Sequence, residues 1–216
     1  MSQPAPASKA PLRLVSAAQR PSSEELDDEQ LILAVQRGDR QIASALYDRL
    51  IRVVDHTVYR VFGRREVDHD DLVQMVFEQI IVTLSRRSYA RACNLRTWAS
   101  SIASHVAFNA LRSRRRERKV MDREAPPDSE TYAARGDAER EAAVRSDLEQ
   151  VRAVLVDMKP QHAETVFLHD VLGHELAEIA LMTRVSVAAA QSRLVRGRKD
   201  LHRRLAATTA RGVMAR

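Results

Sequence analysis

The sequence has few of the residues that mark sheets, disulfides or membrane spans. Of its 216 residues only 6 are glycine and 1 is cysteine, and aromatic residues make up 4%. A single cysteine cannot close an intrachain disulfide or build a cysteine-rich zinc site, and so little glycine disfavours sheets and glycine-rich phosphate loops. No apolar run approaches the ~18 residues that a membrane-spanning helix needs, and no signal-type apolar segment begins the chain. These absences predict an all-α protein that acts in the cytoplasm, is not inserted in a membrane, and carries no metal or other cofactor.

The positive charge of the chain is concentrated in two blocks. The net charge is +6 with histidine counted as neutral, but residues 85–123 carry +9 and residues 184–216 carry +8, while the residues between them carry −8. Two separated basic blocks suggest two contacts with one polyanion. The basic residues are 31 Arg and 4 Lys. Arginine suits bidentate contacts to phosphate and guanine, although a GC-rich genome would give the same ratio without the clustering.

Apolar residues recur at steps of three and four in two regions, which predicts two small helical domains. The expected organisation is a disordered tail over residues 1–24, a first domain over 25–119, a flexible acidic linker over 120–146 that is helical at most at its end, a second domain over 147–206, and a C-terminal tail over 207–216. Helices resume at about Ser146 in this reading.

The first domain is predicted to hold four helices with recognisable ends. Asp27 or Asp28 can cap the first helix and Gly38 can end it, while Gly63 ends the second. Aspartates then open a third helix, since negative charge is favoured at the positive end of the helix dipole. A polar and basic loop over residues 85–96 follows, and Thr97 is the expected N-cap of the fourth helix.

A run of arginines ends the fourth helix. Residues 112–119 carry six positive charges and one glutamate, and such a run cannot face an apolar core. A solvated helix end is the simpler explanation, but two cations would suffice for the helix dipole. We therefore expect this run to contact nucleic acid.

The second domain ends in a helix-turn-helix pattern. A short helix over 175–183, a turn at Arg184-Val185-Ser186 and a longer basic helix over 187–205 follow one another. In this arrangement the second helix enters the major groove of DNA. The pattern predicts a domain that binds duplex DNA.

Four segments, in this order, resemble the extracytoplasmic-function (ECF) group of the sigma-70 family of bacterial transcription initiation factors. They are Gln36-Arg37-Gly38-Asp39, Asp70-Asp71-Leu72-Val73-Gln74-Met75-Val76-Phe77, Leu95-Arg96-Thr97-Trp98-Ala99-Ser100-Ser101-Ile102-Ala103, and Glu178-Ile179-Ala180 followed by Ser192-Arg193-Leu194-Val195-Arg196-Gly197-Arg198. Each segment alone is common, whereas four in register are highly specific.

The resemblance implies a non-enzymatic RNA polymerase sigma factor that binds core RNA polymerase, recognises the −10 and −35 promoter elements and initiates transcription. On the matched positions Asp71 and Gln74 contact the polymerase, although ordinary exposed polar residues would look the same. An anti-sigma factor is a common further partner in this group.

The first domain is implied to hold the −10 element as a single strand, on base pockets and a basic track. The residues at the matching positions are Trp98, His105, Asn109, Arg112, Arg114, Arg115, Arg116 and Arg118. His105, Asn109 and Arg112 lie about one turn apart and are expected to share one side of the helix. His105 stands where the group commonly has asparagine, and Trp98 is at least as well explained by packing in the core.

The helix-turn-helix is implied to read the −35 duplex. The matching major-groove positions are Gln191, Ser192, Val195 and Arg196, and Arg193, Arg198 and Lys199 would serve phosphates. Four residues depart from the group's pattern and bear on −35 affinity. They are Arg184 in place of the usual turn glycine, which costs about 1 kcal/mol if that position is left-handed, Ala189 and Ala190 at the start of the recognition helix, and Glu175 in place of a Ser or Thr cap.

Two other classes of function compete with this interpretation. His174-Glu175-Leu176-Ala177-Glu178 resembles the H-E-x-x-H zinc motif of an enzyme, but its last ligand would be glutamate. Asp68-His69-Asp70-Asp71 could bind a metal, although an acidic helix start explains it better. A stand-alone helix-turn-helix transcriptional regulator would account for the second domain and would leave residues 26–119 unexplained.

Overall fold

The computed structural model describes residues 26–89, 91, 93–121 and 137–214. Within these ranges every regular element is a helix, which confirms the all-α expectation, and no helix there has the length and apolarity to cross a membrane. The predicted tail over residues 1–24 and residues 122–136 of the predicted linker lie outside the described residues, so those assignments stay predictions.

Four helices form the first half of the fold. They are α1 (Asp28–Arg37), α2 (Arg40–Phe62), α3 (His69–Ser85) and α4 (Leu95–Met121). The cap of α1 is the expected one, because Asp27 accepts a hydrogen bond from the backbone of Gln30 at 2.7 Å and the Gln30 side chain accepts one in return at 3.0 Å. Gly38 and Gly63 follow α1 and α2 with φ of 76° and 75°, a left-handed conformation that glycine adopts at little cost.

The apolar faces of these four helices pack together in one core. Fully or almost fully buried side chains come from every helix, among them Leu31, Leu50, Val54, Val76, Ile80 and Phe108. Burying each such side chain contributes about 1.5–3 kcal/mol. The packing therefore fixes how each helix is rotated, and with it which side chains of α3 and α4 face outward.

The start of α4 differs from the prediction. The helix begins at Leu95, and its N-cap is Asn94 instead of Thr97, because Asn94 Oδ1 accepts a hydrogen bond from the backbone of Thr97 at 2.7 Å. Both residue types are good caps. Leu95 decides between them, since it is fully buried and its backbone N–H donates to Asp28 of α1 at 3.0 Å.

Four helices and a π-helical turn form the second half. They are α5 (Asp137–Asp157), α6 (Pro160–Val166), the π-helical turn (Phe167–Val171), α7 (Leu176–Thr183) and α8 (Val187–Met214). Two helix ends differ from the prediction. Helix α5 begins at Asp137 instead of near Ser146, and α8 continues past 205 to Met214. In α8 the apolar side chains of Leu201 and Leu205 pack against the core, and the helix continues beyond them into the predicted C-terminal tail.

The two halves pack against each other. Phe108 of α4 meets Phe167 edge-on, with 5.3 Å between the ring centroids, a favourable geometry for aromatic pairs. Val154 and Leu155 of α5 and Val166 of α6 join the core that α2 and α4 form. A cleft of about 810 Å³ remains between α3, α4 and the second half.

Candidate promoter and polymerase interface

Helix α3 presents Asp71 and Gln74 to solvent. The neighbouring Leu72, Val73 and Val76 are buried, so the helix has one apolar face and one polar face. Both predicted polymerase contacts thus lie off the apolar stripe, as their spacing indicated. Their contact with polymerase stays a prediction.

His105, Asn109 and Arg112 share one side of α4, as the spacing predicted. Asn109 Nδ2 lies 3.0 Å from His105 Nε2, and Arg112 donates to Asn109 Oδ1 at 3.3 Å. Glu164 of α6 faces the row from across the cleft, with its Oε1 3.2 Å from His105 Nδ1 and 3.7 Å from Arg112 Nη1. The hydrogen bond with Glu164 is the main cause that raises the pKa of His105 above 6.5.

The arginine run divides into two groups. Arg114 pairs with Asp68 through both carboxylate oxygens and lies 4.7 Å from the ring centroid of Phe62. Arg115 donates to Asp157 of α5 at 2.5 Å. Arg116 and Arg118, by contrast, are exposed. With Arg112 beside Glu164, three arginines of the run therefore already face carboxylates, and two face solvent.

Trp98 lies mostly inside the first half. Its side chain is 8% exposed, and its ring lies 4.5 Å from that of Tyr89. The residue also lines the cleft. The burial favours the packing role that the sequence left open beside a contact with DNA.

Helices α7 and α8 and the turn between them form the expected helix-turn-helix. Arg184 ends α7 in the left-handed conformation, with φ 54° and ψ 48°. Ser186 caps α8, because its hydroxyl accepts a hydrogen bond from the backbone of Ala189 at 3.2 Å. At the start of α7 the Glu178 carboxylate accepts from the backbone N–H of Glu175 at 3.1 Å. The helix thus begins without the Ser or Thr cap that the family pattern has.

Most of the residues expected to read the −35 element lie on the outside of α8. Gln191, Ser192, Val195 and Arg196 are exposed, with Val195 at 57%. An exposed β-branched side chain on a helix contributes nothing to the core, so it is available for a contact outside the fold. Ala190 is fully buried, which explains why a small residue is suitable at that position.

The three expected phosphate contacts have different surroundings. Arg193 is partly buried and lines the cleft, and Lys199 is exposed. Arg198 makes a two-point contact with Asp170, with Nε donating to Oδ2 at 3.0 Å. Hydrogen bonding by Arg198 lowers the pKa of Asp170 below its ordinary value.

Sequence reasoning missed the residues that join the two halves. Asp157 and Glu164 hold arginine and histidine side chains of α4, and the His174 ring lies 2.7 Å from the Ser100 hydroxyl. Burial lowers the pKa of His174 below 6.5. No local pattern marks these partners, because only the packing of the halves brings residues so far apart in sequence into contact.

Residues of the two sequences considered as metal sites have other partners in this fold. His174 faces Ser100, and Asp68 pairs with Arg114. In the described part of the chain no three or more His, Cys, Asp or Glu side chains are grouped closely enough to hold a metal ion.

Comparison with known proteins gives matches along both halves. The sigma-70 region 2 family model matches residues 46–117, and the sigma-70 region 4 family model matches residues 148–201. The chain is 30% identical over 132 residues to the ECF RNA polymerase sigma factor SigC of Mycobacterium tuberculosis, an alignment that spans 61% of this chain and 67% of SigC. It is equally similar over 132 residues to the RNA polymerase sigma factor CarQ of Myxococcus xanthus, over 61% of this chain and 71% of CarQ.

Two solved structures are also similar. One is CnrH in complex with the cytosolic domain of CnrY, at 22% identity and a TM-score of 0.49, over 82% of this chain and 96% of that chain. The other is the sigma factor RpoE in complex with the anti-sigma factor NepR from Bartonella quintana, at 17% identity and a TM-score of 0.41, over 82% and 95%. The region 2 match also accounts for the half of the chain that a stand-alone regulator would leave unexplained. From the two family matches and the SigC and CarQ alignments, the chain belongs to the ECF group of sigma-70 family RNA polymerase sigma factors, which bind core RNA polymerase and promoter DNA and initiate transcription.

Proposed function

We propose that three separate helix surfaces of this sigma factor bind the core polymerase, the −10 element and the −35 element. Helix α3 contacts the core polymerase through Asp71 and Gln74, α4 holds the −10 strand, and α8 reads the −35 duplex. The observation that carries the proposal is that α8 turns Gln191 and Arg196 outward on a helix whose start is fixed by a capped turn. Glutamine and arginine in that position can make bidentate contacts to base edges in the major groove.

The proposed −10 surface is the side of α4 that faces the cleft together with the basic end of the helix. Its residues are Trp98, His105, Asn109, Arg112, Arg114, Arg115, Arg116 and Arg118. Support comes from the hydrogen-bonded row of His105, Asn109 and Arg112, which offers donors and acceptors to a base along one line. The exposed arginines that follow the row would contact the backbone of the strand.

The proposed −35 surface adds three phosphate contacts to four base contacts. The base contacts are Gln191, Ser192, Val195 and Arg196, and the phosphate contacts are Arg193, Arg198 and Lys199. Arg198 would exchange its carboxylate partner for a phosphate on binding, because both are anions of suitable geometry for the guanidinium group.

The domain boundaries and the cellular setting belong to the same proposal. The first domain covers residues 25–119 and the second covers 147–206, with α5 and α8 extending beyond the second domain at either end. The protein acts in the cytoplasm, where promoters and polymerase are found, and it is itself no catalyst. An anti-sigma factor is a further proposed partner, and it is supported by the half-exposed apolar side chains of Met75 on α3 and Leu181 on α7.

The proposal is tested by reconstituted transcription with purified chain and core polymerase. Promoters are first mapped with the wild-type factor, and run-off transcription is then measured with Gln191→Ala and Arg196→Ala. Each loss of a bidentate base contact is expected to cost about 1–3 kcal/mol of promoter affinity and to relax specificity at one −35 position. Arg203→Ala is the matched control, since Arg203 lies on the same helix but pairs with Asp200.

Polymerase binding is measured separately, without promoter DNA. Replacing Asp71 and Gln74 together by alanine is expected to weaken binding to core polymerase, whereas Glu149→Ala on the exposed side of α5 leaves it unchanged. If the double variant binds core polymerase as tightly as the wild type, the α3 assignment is wrong. If Gln191→Ala and Arg196→Ala leave the pattern of recognised −35 sequences unchanged, the α8 assignment is wrong.

A further inference from the structure

The outward face of α8 carries apolar side chains among its polar ones. Val187 is 49% exposed and Val195 is 57% exposed, and over the part of α8 whose side chains are described they are the exposed large apolar residues. Gln191 is exposed as well and lies four residues from each of them, so the three form a row along one side of the helix. The side proposed to face the −35 duplex thus has an apolar group on either side of an amide group.

The fold gives no local reason for valine at these two positions. The inner side of α8 is formed by other residues, among them Ala190, which is fully buried, and Leu194, which is 4% exposed. An exposed apolar side chain gains nothing from the core, and a β-branched residue is a weaker helix former than alanine or leucine. A contact outside the fold accounts for both valines better than the stability of α8 does.

Valine is a stiff side chain in a helix and has no hydrogen-bonding group. A single χ1 rotamer accounts for about 90% of helical valines, so each of the two valines holds its methyl groups in a fixed direction. Packing against a ligand therefore costs little rotamer freedom. Because valine cannot pair with a donor or an acceptor, it favours a ligand surface that is apolar at the point of contact.

The major groove of DNA offers one apolar group of this kind. Thymine carries a methyl group at C5, whereas cytosine has only hydrogen there beside its N4 amino group, and purines present polar atoms. A methyl group that meets valine is withdrawn from water, which is favourable. An amino group in the same place would lose its hydrogen bond to water without a replacement. Valine at this surface therefore favours a pyrimidine that is methylated at C5.

We propose that Val187 and Val195 recognise the C5-methyl groups of two pyrimidines in the −35 duplex, one on each side of the base pair that Gln191 contacts. This inference rests on the proposed −35 surface of α8. The two valines are eight residues apart, which is about 12 Å along a helix, and base pairs follow one another at about 3.4 Å. The two methyl groups therefore lie about three to four base pairs apart. Each comes from thymine or from a cytosine that is methylated at C5.

The inference is tested with holoenzyme reconstituted from the full chain and core polymerase, on a promoter mapped with the wild-type factor. Each thymine of the −35 duplex, on either strand, is replaced in turn by deoxyuridine, which removes the C5-methyl group and keeps every hydrogen-bonding atom. Promoter affinity is measured for the wild type, Val187→Ala and Val195→Ala. Val144→Ala is the matched control, because Val144 is also 57% exposed but lies on α5.

Wild-type holoenzyme should lose about fourfold in affinity at each of two thymine positions, which is the effect of returning one methyl group to water. Val195→Ala should remove most of the loss at one of these positions and Val187→Ala most of the loss at the other, whereas Val144→Ala should keep both losses. Neither valine is charged. Both alanine variants should therefore lower affinity by the same factor at every salt concentration, which the loss of a phosphate contact would not do.

A second set of duplexes identifies the source of the methyl group. Cytosine and 5-methylcytosine are placed, paired with guanine, at the two positions that deoxyuridine has revealed. If 5-methylcytosine binds wild-type holoenzyme about fourfold more tightly than cytosine does, and the matching alanine variant removes that gain, either base can supply the methyl group. If the gain is absent while the loss with deoxyuridine is present, the methyl group is recognised on thymine alone.

Three results would overturn the inference. The first is a deoxyuridine loss of the same size in the wild type and in both alanine variants, since the methyl groups would then act without the valines. The second is that the alanine variants weaken binding of the chain to core polymerase and leave the promoter affinity of the formed holoenzyme unchanged, since the valines would then contact protein. The third is that no deoxyuridine replacement and no 5-methylcytosine changes the affinity of the wild type.

Gln191→Ala and Arg196→Ala separate these results from a failure of the proposed function. If both variants leave the pattern of recognised −35 sequences unchanged, α8 does not read the −35 element and the methyl contacts fall with it. If they change that pattern while the methyl groups have no effect, α8 still reads the −35 element and only the recognition of methyl groups is wrong.

Discussion

The arginine run of α4 should separate into residues that stabilise the fold as well as belonging to the proposed −10 surface, and residues that contribute to DNA binding alone. Arg114 belongs to the first kind, since it pairs with Asp68, lies 3.6 Å from Glu66 and stacks over Phe62. A hydrogen bond to a charged partner contributes about 1.5–3 kcal/mol, and a cation over an aromatic ring about 0.5–1 kcal/mol at an exposed site. Asp68 is 46% exposed, so water can replace part of the loss, and Arg114→Ala should cost about 2 kcal/mol.

Arg116 belongs to the second kind. It is exposed on the same helix, so Arg116→Ala should change the free energy of unfolding by less than about 0.5 kcal/mol. Its effect should appear in the salt dependence of the complex that holoenzyme forms with a promoter. Each lost phosphate contact lowers the slope of log affinity against log salt by about 0.7 for a single strand and about 0.9 for a duplex.

The two variants are compared by thermal unfolding of the free chain and by promoter binding over a range of salt concentrations. For a domain protein of this size about 2 kcal/mol corresponds to a fall in Tm of roughly 4–8 °C, which is expected for Arg114→Ala alone. An unchanged Tm for Arg114→Ala, or an unchanged salt slope for Arg116→Ala, would refute the division of the run.

Two further predictions concern packing and pH. Gly197→Ala should destabilise the second half by about 1–2 kcal/mol in urea unfolding, even though alanine favours helix by about 1 kcal/mol. The reason is that a Cβ there would meet Val166 Cγ2 at 2.6 Å and the His162 carbonyl at 3.0 Å, and a gain in stability would contradict this packing. The contribution of His105 and His174 to the free energy of unfolding, followed by urea unfolding at a series of pH values, should be greatest near pH 6.5. The hydrogen bond with Glu164 raises the pKa of His105, so the stabilisation by His105 is full below pH 6.5 and is lost as the pH rises through the raised pKa. Burial lowers the pKa of His174, which faces Ser100 and Glu178. The stabilisation by His174 is therefore full above pH 6.5 and is lost as the pH falls through the lowered pKa. His105→Asn should remove the alkaline loss only, and a profile that rises or falls throughout would contradict this account.

Helix ends were predictable from the sequence where one residue decides them. Gly38 and Gly63 end their helices because glycine adopts the left-handed conformation at little cost in free energy. Asp27 caps α1 because its carboxylate can accept a hydrogen bond from the backbone of Gln30. At α4 two residues were suitable caps, and burial of Leu95 selected Asn94 over Thr97. Residue type alone allowed either Asn94 or Thr97 as the N-cap, and tertiary packing decided between them.

The start of α5 and the contacts between the halves could not be predicted. Residues near Asp137 have no apolar stripe, so periodicity gives no signal for a helix that tertiary packing stabilises further along, at Val154 and Leu155. Glu164 is one acidic residue among many, and its position opposite His105 depends on how α6 docks on α4. The family resemblance indicated the residues of α4 proposed for DNA, and the helix repeat placed three of them on one side, whereas the residues that cover that side could not be predicted.

The charge blocks of the sequence overstate the positive charge that a free chain can offer to DNA. Arg112 and Arg115 face Glu164 and Asp157 across the halves, and Arg198 holds Asp170 within the second half. Phosphates can neutralise these cations only after the carboxylates leave, so each exchange costs part of what the new contact contributes. Replacing Glu164 by glutamine and Asp157 by asparagine would release the first two pairs and leave the third in place. It follows that the salt dependence of single-strand binding should be steeper for this double variant than for the wild-type chain, while that of duplex binding through α8 should be the same for both.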